Sequence, residues 1–429
     1  MVGLDDIKNI AVIGGGIMGS GIAQVALLTG YEKVTVIDRN IEILDKSRKI
    51  IRDRIEALES EENYKRFLSA YYATDEFMKN IDIKKKLGNF ESVGIIAHNV
   101  DTKAIISRLK TETDLSKGVA DADFVIEAVP ENLELKQKIF KDLGEFSPSH
   151  TILASNTSSI SITRIAKFSK RPEKVIGMHF HTFFPILGML IEITPGKKSS
   201  DESLEMGRAI AQKFPCLIGK RFTVQLEKET GGLIANRISL PTQIYFDWLL
   251  DYATNSGFSI EQLGALNMFL ALADFIGLDT IYNILKYLEE YISPDFGPGN
   301  NLTRLVKAGM VGKKVGKGYI EWNENGSMKE FPSVDEKATE FLMPHLDAEI
   351  FSAISLNEAC RLLEEGVVKS YRLIDKVIFK GTSSPGPFRE GKAKYKEWAK
   401  KLYEVAEKTG KSYFKPCKMM ESGKFLSLR

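Results

Sequence analysis

"KNIAVIGGGIMGSGIAQVALLTG", residues 8–30, runs from an apolar stretch through three consecutive glycines into a segment of helical period that Gly30 closes. Gly14, Gly16 and Gly19 satisfy G-x-G-x-x-G in a strand–turn–helix setting, and the spacing has a physical cause. The first glycine permits a tight turn, the second lets backbone approach a pyrophosphate, and the third lets helix and strand pack closely. The N-terminus of the helix then offers unpaired N–H groups and a positive dipole end to phosphate. Gly14, Gly16, Ile17, Met18 and Gly19 are the expected cofactor contacts on this turn. Taken alone, the motif is also compatible with a merely tight βα turn.

The next apolar run strengthens the cofactor reading. "KVTVIDRN" (33–40) places Asp38 at the end of a second strand, at the remove from the glycines where a carboxylate takes the ribose hydroxyls. A carboxylate there repels a 2′-phosphate, so NAD is expected over NADP, with Arg39 beside it as the counter-argument. Further out, "EILDKSRKIIRDRIEALESEENYKRFL" (42–68) reads as a long amphipathic helix. "ADFVIEAVPENLELKQKIFKDL" (122–143) reads as a strand, a turn at Pro130 and a helix. "HTILASNTSSISITRIAKF" (150–168) repeats that order, and "EKVIGMHF" (173–180) and "MLIEITPG" (189–196) add two strands. Alternating β and α elements imply a mostly parallel, doubly wound sheet. In such sheets chemistry gathers at the carboxyl ends of the strands, where Pro130–Glu131, Ser155–Ser158 and His179 fall.

Beyond residue 198 the pattern turns helical over 202–214, 229–253, 260–271 and 278–292. "GKKVGKG" (312–318) has the glycines of a phosphate loop, but neither Ser nor Thr follows Lys317, so a structural turn is expected. Residues 323–337 read as a polar linker, and the last ~90 residues as another helical unit. The expected division is 1–198 for the dinucleotide domain, 199–325 for a first helical domain and 326–429 for a second.

Composition narrows the class. The 429 residues imply two or three domains, and 43% hydrophobic with 27% charged residues is ordinary for a globular chain. A net charge of +2 lacks the basic excess of a nucleic-acid binder. Cys216, Cys360 and Cys417 are scattered and suggest neither a disulfide framework nor a metal site. The N-terminus carries acids where a signal peptide needs a positive region, and no apolar run approaches the ~20 residues of a membrane span. A cytoplasmic enzyme with no membrane or nucleic-acid partner is therefore expected.

"AVIGGGIMGSGIAQ" (11–24), "VIEAVPENLELK" (125–136), "ASNTSSISIT" (154–163) and "GMHF" (177–180), in that order, resemble the L-3-hydroxyacyl-CoA dehydrogenases. "GGLIANRI" (231–238), "ADFIGLDT" (273–280) and "GKKVGKGY" (312–319) extend the resemblance, and residues ~340–429, with "ISLNEACRLLEEGV" and "YFKPC", look like a diverged second copy of the helical domain. The resemblance implies a Rossmann-type NAD domain followed by two all-α domains, and oxidation of (S)-3-hydroxyacyl-CoA to 3-oxoacyl-CoA. It implies His179 as general base, Glu192 as its orienting carboxylate, and Ser158 and Asn236 as substrate contacts. Glu131, Lys136 and Asn156 fall on positions along the nicotinamide. A crotonase-type hydratase is a possible companion, because larger relatives carry one after the equivalent of residues 417–425; this chain would be a stand-alone dehydrogenase, monomeric or homodimeric, or a piece of such a fusion.

Three features depart from the family pattern. His179-Phe180-His181-Thr182-Phe183 replaces His-Phe-Phe-Asn-Pro, and one extra residue separates His179 from Glu192. The family's serine and lysine contacts to the CoA nucleotide fall on Arg54 and Glu61. "LNMFLALADF" (266–275) replaces a Gly/Pro-rich segment. Two rival readings stay open: a dehydrogenase of free hydroxy acids, and a non-catalytic NAD-binding protein.

Overall fold

A computed structural model describes residues 3–59, 101–182, 184–217, 219–324, 326–330 and 332–428. The described residues divide into two compact units: the first contains 3–59, 101–233 and 377–384, the second 234–376 and 385–428.

In the first unit the described strands are β1 (Asn9–Ile13), β2 (Lys33–Ile37), β3 (Leu109–Glu112), β4 (Phe124–Glu127), β5 (Ile152–Ser155), β6 (Val175–Phe180), β7 (Leu190–Pro195) and β8 (Phe222–Gln225). They form one sheet in the order β3-β2-β1-β4-β5-β6-β7-β8. Between them come α1 (Ile17–Thr29), α2 (Ile41–Glu56), α3 (Thr102–Ser107), α4 (Leu115–Gly118), α5 (Leu133–Phe146), α6 (Ile162–Ala166) and α7 (Asp201–Lys213). The central strands are apolar on both faces, as helices on both sides of a parallel sheet require; β4 and β5 are buried throughout. The chain runs from β1 out to β3, then returns to place β4 on the other side of β1. That reversal opens a crevice at the carboxyl ends of β1 and β4.

The parallel order stops at β6. Residues 181–189 are too few for a crossover, which takes a dozen or more, so β7 folds back antiparallel to β6 while β8 runs parallel to β7. The sheet thus continues past residue 198, where a helical domain was expected to begin: α7 and β8 belong to the first unit. The sequence pattern there is helical because α7 is, and β8 is too short to show a period. The long amphipathic helix expected over 42–68 is α-helical to Glu56 and tightens to a 3₁₀ turn over Ala57–Glu59; its remainder, including Glu61, lies outside the described residues.

The second unit is built from α8 (Ala235–Asn255), α9 (Asn267–Ile276), α10 (Leu278–Tyr291), α11 (Asn300–Lys307), α12 (Glu336–Leu342), α13 (Ala348–Glu364), α14 (Tyr371–Thr382, whose last turns lie in the first unit), α15 (Phe388–Thr409) and α16 (Lys418–Ser422). Its described helices before and after residue 325 pack against one another. The ring of Tyr245 on α8 meets Phe351 on α13 edge-on, and buried Arg237 on α8 pairs with buried Glu358 on α13. The "GKKVGKG" turn is structural: it carries Tyr319 and Ile320, whose N–H groups, with the Trp322 indole, donate to the buried Asp274 carboxylate. Among the described residues no single helix is long and apolar enough to cross a membrane.

Candidate active site

The glycine turn is built as its spacing demands. Gly14 sits at φ 101°, and a Cβ there would stand 2.8 Å from the Ala128 carbonyl oxygen, so the turn after β1 lies directly against the turn after β4. A Cβ on Gly19 would collide with the Gly14 carbonyl. Gly16, by contrast, has open space where its side chain would be, and caps α1 with no side-chain hydrogen bond. The first N–H groups of α1, those of Ile17 and Met18 among them, therefore lack intrahelical partners. Asp38 is held at the lip of this cradle: its Oδ2 accepts from Gly15 N–H at 3.0 Å and its Oδ1 from Asn40 N–H at 3.1 Å. The residues present fit a dinucleotide.

Along the same edge of the sheet, β4 and β5 hold a buried charge network. Glu127, fully buried at the end of β4, accepts from Val129 N–H, Lys136 Nζ and Ser155 Oγ at 2.6–2.7 Å. Lys136 is only 1% exposed and bridges Glu127 to Glu131. Burial opposes its charge, but the two carboxylates outweigh burial and raise its pKa. Glu131 is likewise pulled by burial toward neutrality, and Lys136 and the hydrogen bonds from Thr157 and Ser159 overcome it, so its pKa falls. One oxygen, Oε1, accepts from Thr157 Oγ1, Ser158 N–H, Ser159 N–H and Ser159 Oγ. Lys136 thus presents no free charge to a cofactor; it holds Glu131, and Glu131 holds the 157–159 turn. Asn156 Oδ1 accepts Phe180 N–H at 2.9 Å, tying that turn to β6.

His179 is on β6, 4% exposed, and directly opposite Glu192 in the β6–β7 ladder. Its Nδ1 lies 3.0 Å from Glu192 Oε2 and its Nε2 lies 3.2 Å from Ser158 Oγ. The extra residue between His179 and Glu192 is absorbed in the connection 181–189 and leaves the register untouched. The network sets the tautomer: Nδ1–H faces the carboxylate, and Nε2 faces Ser158. His181 is half-buried, its ring edge-on to His179 at 5.8 Å. Burial pushes it down to about 4, against the opposing pull of Glu192.

Asn236 lies in the second unit, in the first turn of α8. Arg54, at a position expected to contact the CoA nucleotide, is buried with its guanidinium 5.2 Å from the Phe184 ring centre. Glu127 was not singled out in the sequence, although a carboxylate ending the apolar run "FVIE" was its visible signal. Glu229, which accepts from Ser161 Oγ and Thr163 N–H at 2.9 Å, gave none.

A glycine cradle with an acidic lip and an imidazole–carboxylate pair on one sheet edge describe a nicotinamide-dependent oxidoreductase. Residues 9–224 match the family described as 3-hydroxyacyl-CoA dehydrogenase, NAD binding domain, and residues 251–322 match its C-terminal domain. The mitochondrial hydroxyacyl-coenzyme A dehydrogenase of Rattus norvegicus is 34% identical over 324 residues, 74% of this chain and 91% of that protein. The probable 3-hydroxybutyryl-CoA dehydrogenase of Bacillus subtilis is 34% identical over 328 residues, 75% of this chain and all of that one. The crystal structure of 3-hydroxybutyryl-CoA dehydrogenase from Escherichia coli K12 shares the fold over 98% of this chain and 99% of its own, with a TM-score of 0.68 and 22% identity. The chain belongs to the 3-hydroxyacyl-CoA dehydrogenase family, and its cofactor is NAD.

Proposed function

We propose that the chain interconverts (S)-3-hydroxyacyl-CoA and 3-oxoacyl-CoA with His179 as general base and acid. The observation that carries this is the relay Glu192–His179–Ser158, fixed by strand register beside the dinucleotide cradle. NAD, when bound, supplies the hydride acceptor. The chain's own residues handle the proton. His179 Nε2 takes it from the substrate hydroxyl, while Glu192 holds Nδ1–H and stabilises the imidazolium that forms. Ser158 Oγ, beside Nε2, is placed to hydrogen-bond the oxygen on which charge develops. Glu131 and Asn156 hold the 156–159 turn against β6, so base and Ser158 keep their separation. Asn236 is proposed as a second polar contact to substrate, and Asp38 as the ribose ligand that selects NAD. An acyl-CoA substrate follows from the names of the relatives, which include short-chain 3-hydroxybutyryl-CoA dehydrogenases.

Reduction of acetoacetyl-CoA by NADH, followed by loss of NADH absorbance, tests the reading. Turnover of acetoacetyl-CoA well above that of free acetoacetate is expected. Equal turnover of the two, or inhibition by CoA alone with neither turned over, would overturn it in favour of a free-acid dehydrogenase or a binding protein.

A further inference from the structure

We propose that His179, His181 and Glu192 form a binding site for a divalent transition-metal ion of the zinc type, and that His181 creates it. The proposal rests on the same residues as the reading above, but on their positions and not on catalysis.

His179 pairs with Glu192 across the β6–β7 ladder, and His181, the residue just past the end of β6, has its ring 5.8 Å from that of His179. One donor atom from each of the three lies within 4.8 Å of the other two. Zinc bonds imidazole nitrogen and carboxylate oxygen at about 2.0–2.1 Å in tetrahedral geometry, which sets neighbouring donors roughly 3.3 Å apart. His179 Nδ1 and Glu192 Oε2, 3.0 Å apart, already have nearly that spacing. With donors within 4.8 Å of one another, the three have to close in by up to roughly 1.5 Å, and the His179–Glu192 pair to turn from its hydrogen bond, to give a site of two imidazoles and one carboxylate with a fourth position open.

A neutral imidazole offers a metal one ring-nitrogen lone pair. A metal on His179 Nδ1 displaces the proton shared with Glu192. The imidazole can carry that proton on Nε2, where Ser158 Oγ, 3.2 Å away, accepts the hydrogen bond. No net proton need leave. Nε2 then has no lone pair for the substrate hydroxyl, so metal binding and turnover exclude each other. The His181 ring is backed by glycine: a Cβ at Gly381 would stand 2.8 Å from His181 Cδ2. No side chain of residue 381 therefore stands against that edge of the ring.

The test titrates the full-length chain, stripped with chelator and free of substrate, with Zn²⁺ against a chromophoric chelator and with Co²⁺ by its visible d–d absorption. One equivalent bound at micromolar metal is expected, with Zn²⁺ inhibiting acetoacetyl-CoA reduction reversibly by EDTA. His181→Phe and, as a polar replacement, His181→Gln should keep kcat within a few-fold. Both should escape inhibition and lose more affinity than the ~10–100-fold that removal of an outer-shell partner costs. No binding by the wild type at micromolar metal, or equal binding and inhibition in both His181 variants, would overturn the proposal. A His179→Gln variant that kept full turnover would refute the base and leave the metal result standing.

Discussion

The substitution Glu192→Gln isolates the charge of the carboxylate from its shape. Glu192 is fully buried and lies 3.0 Å from His179 Nδ1 through Oε2. The amide that replaces the carboxylate can still accept that N–H, so ring and tautomer are preserved, but the negative charge beside the developing imidazolium is gone. With the charge centres about 4 Å apart and an effective dielectric near 20, the lost attraction is ~4 kcal/mol. At 1.36 kcal/mol per decade, that corresponds to roughly 10³-fold in rate. The amide dipole returns part of it, so kcat for oxidation of (S)-3-hydroxybutyryl-CoA, the direction in which the imidazolium forms, should fall by about 10²–10³-fold. NADH affinity, read by fluorescence titration, should be unchanged, because Glu192 supports the proton step and not the cradle. A loss of only a few-fold in kcat, with the variant folded, would refute the view that Glu192 stabilises charge on His179.

Four further outcomes are expected. His179→Gln should lower kcat by ~10²–10⁴-fold, the usual effect of losing a general base, while His181→Phe changes it only a few-fold; if the two traded places, the base assignment would fall. NAD(H) should surpass NADP(H) in kcat/KM, and Asp38→Ala should narrow the gap; equal values in the wild type would implicate Arg39 as a phosphate ligand. Burial pushes Asp247 on α8 up to about 7, against the hydrogen bonds from Gln243 and Gly299. The folded chain then holds a proton that the unfolded chain releases above about pH 4, so this group's contribution to stability falls as pH rises from about 4 to about 7. Asp247→Asn should accordingly gain in Tm on the wild type across that window, whereas a pH-independent difference would refute the shift. A chain ending after Asp335 would lose Phe351 from the Tyr245 ring and Glu358 from buried Arg237. It should self-associate in light scattering, through the apolar surface it exposes and the loss of Glu358 from buried Arg237; a well-behaved monomer would show that the later helices are an independent appendage.

Much of the site was legible because its signals are local. The spacing of Gly14, Gly16 and Gly19 encodes a turn within one βα unit, and the structure returns the φ of 101° at Gly14 and the crowding at Gly19 that the motif requires. Asp38, Ser158 and His179 sit at strand ends, which apolar runs reveal. Lys136 is the opposite case. A lysine in the first turn of a helix looks like a solvent or cofactor contact, and only Glu127, from a neighbouring strand end, explains why it is buried.

What the sequence by itself determined is therefore the dinucleotide cradle, the acidic residue at its lip, the parallel α/β order as far as β6 and the place of His179 at a strand end, since each follows from neighbours along the chain. What only the tertiary structure decided is the partnership of side chains far apart in sequence. The separation of His179 and Glu192 in the chain said nothing firm about their pairing, because an extra residue in a loop changes the count without changing the hydrogen-bond ladder that sets them opposite one another. The same holds for the extent of the first unit to Leu233, and for the joining of the later helices around Arg237 and Glu358. Buried charges must find opposite charges wherever the fold brings them, and that choice is made by packing, not by proximity along the chain.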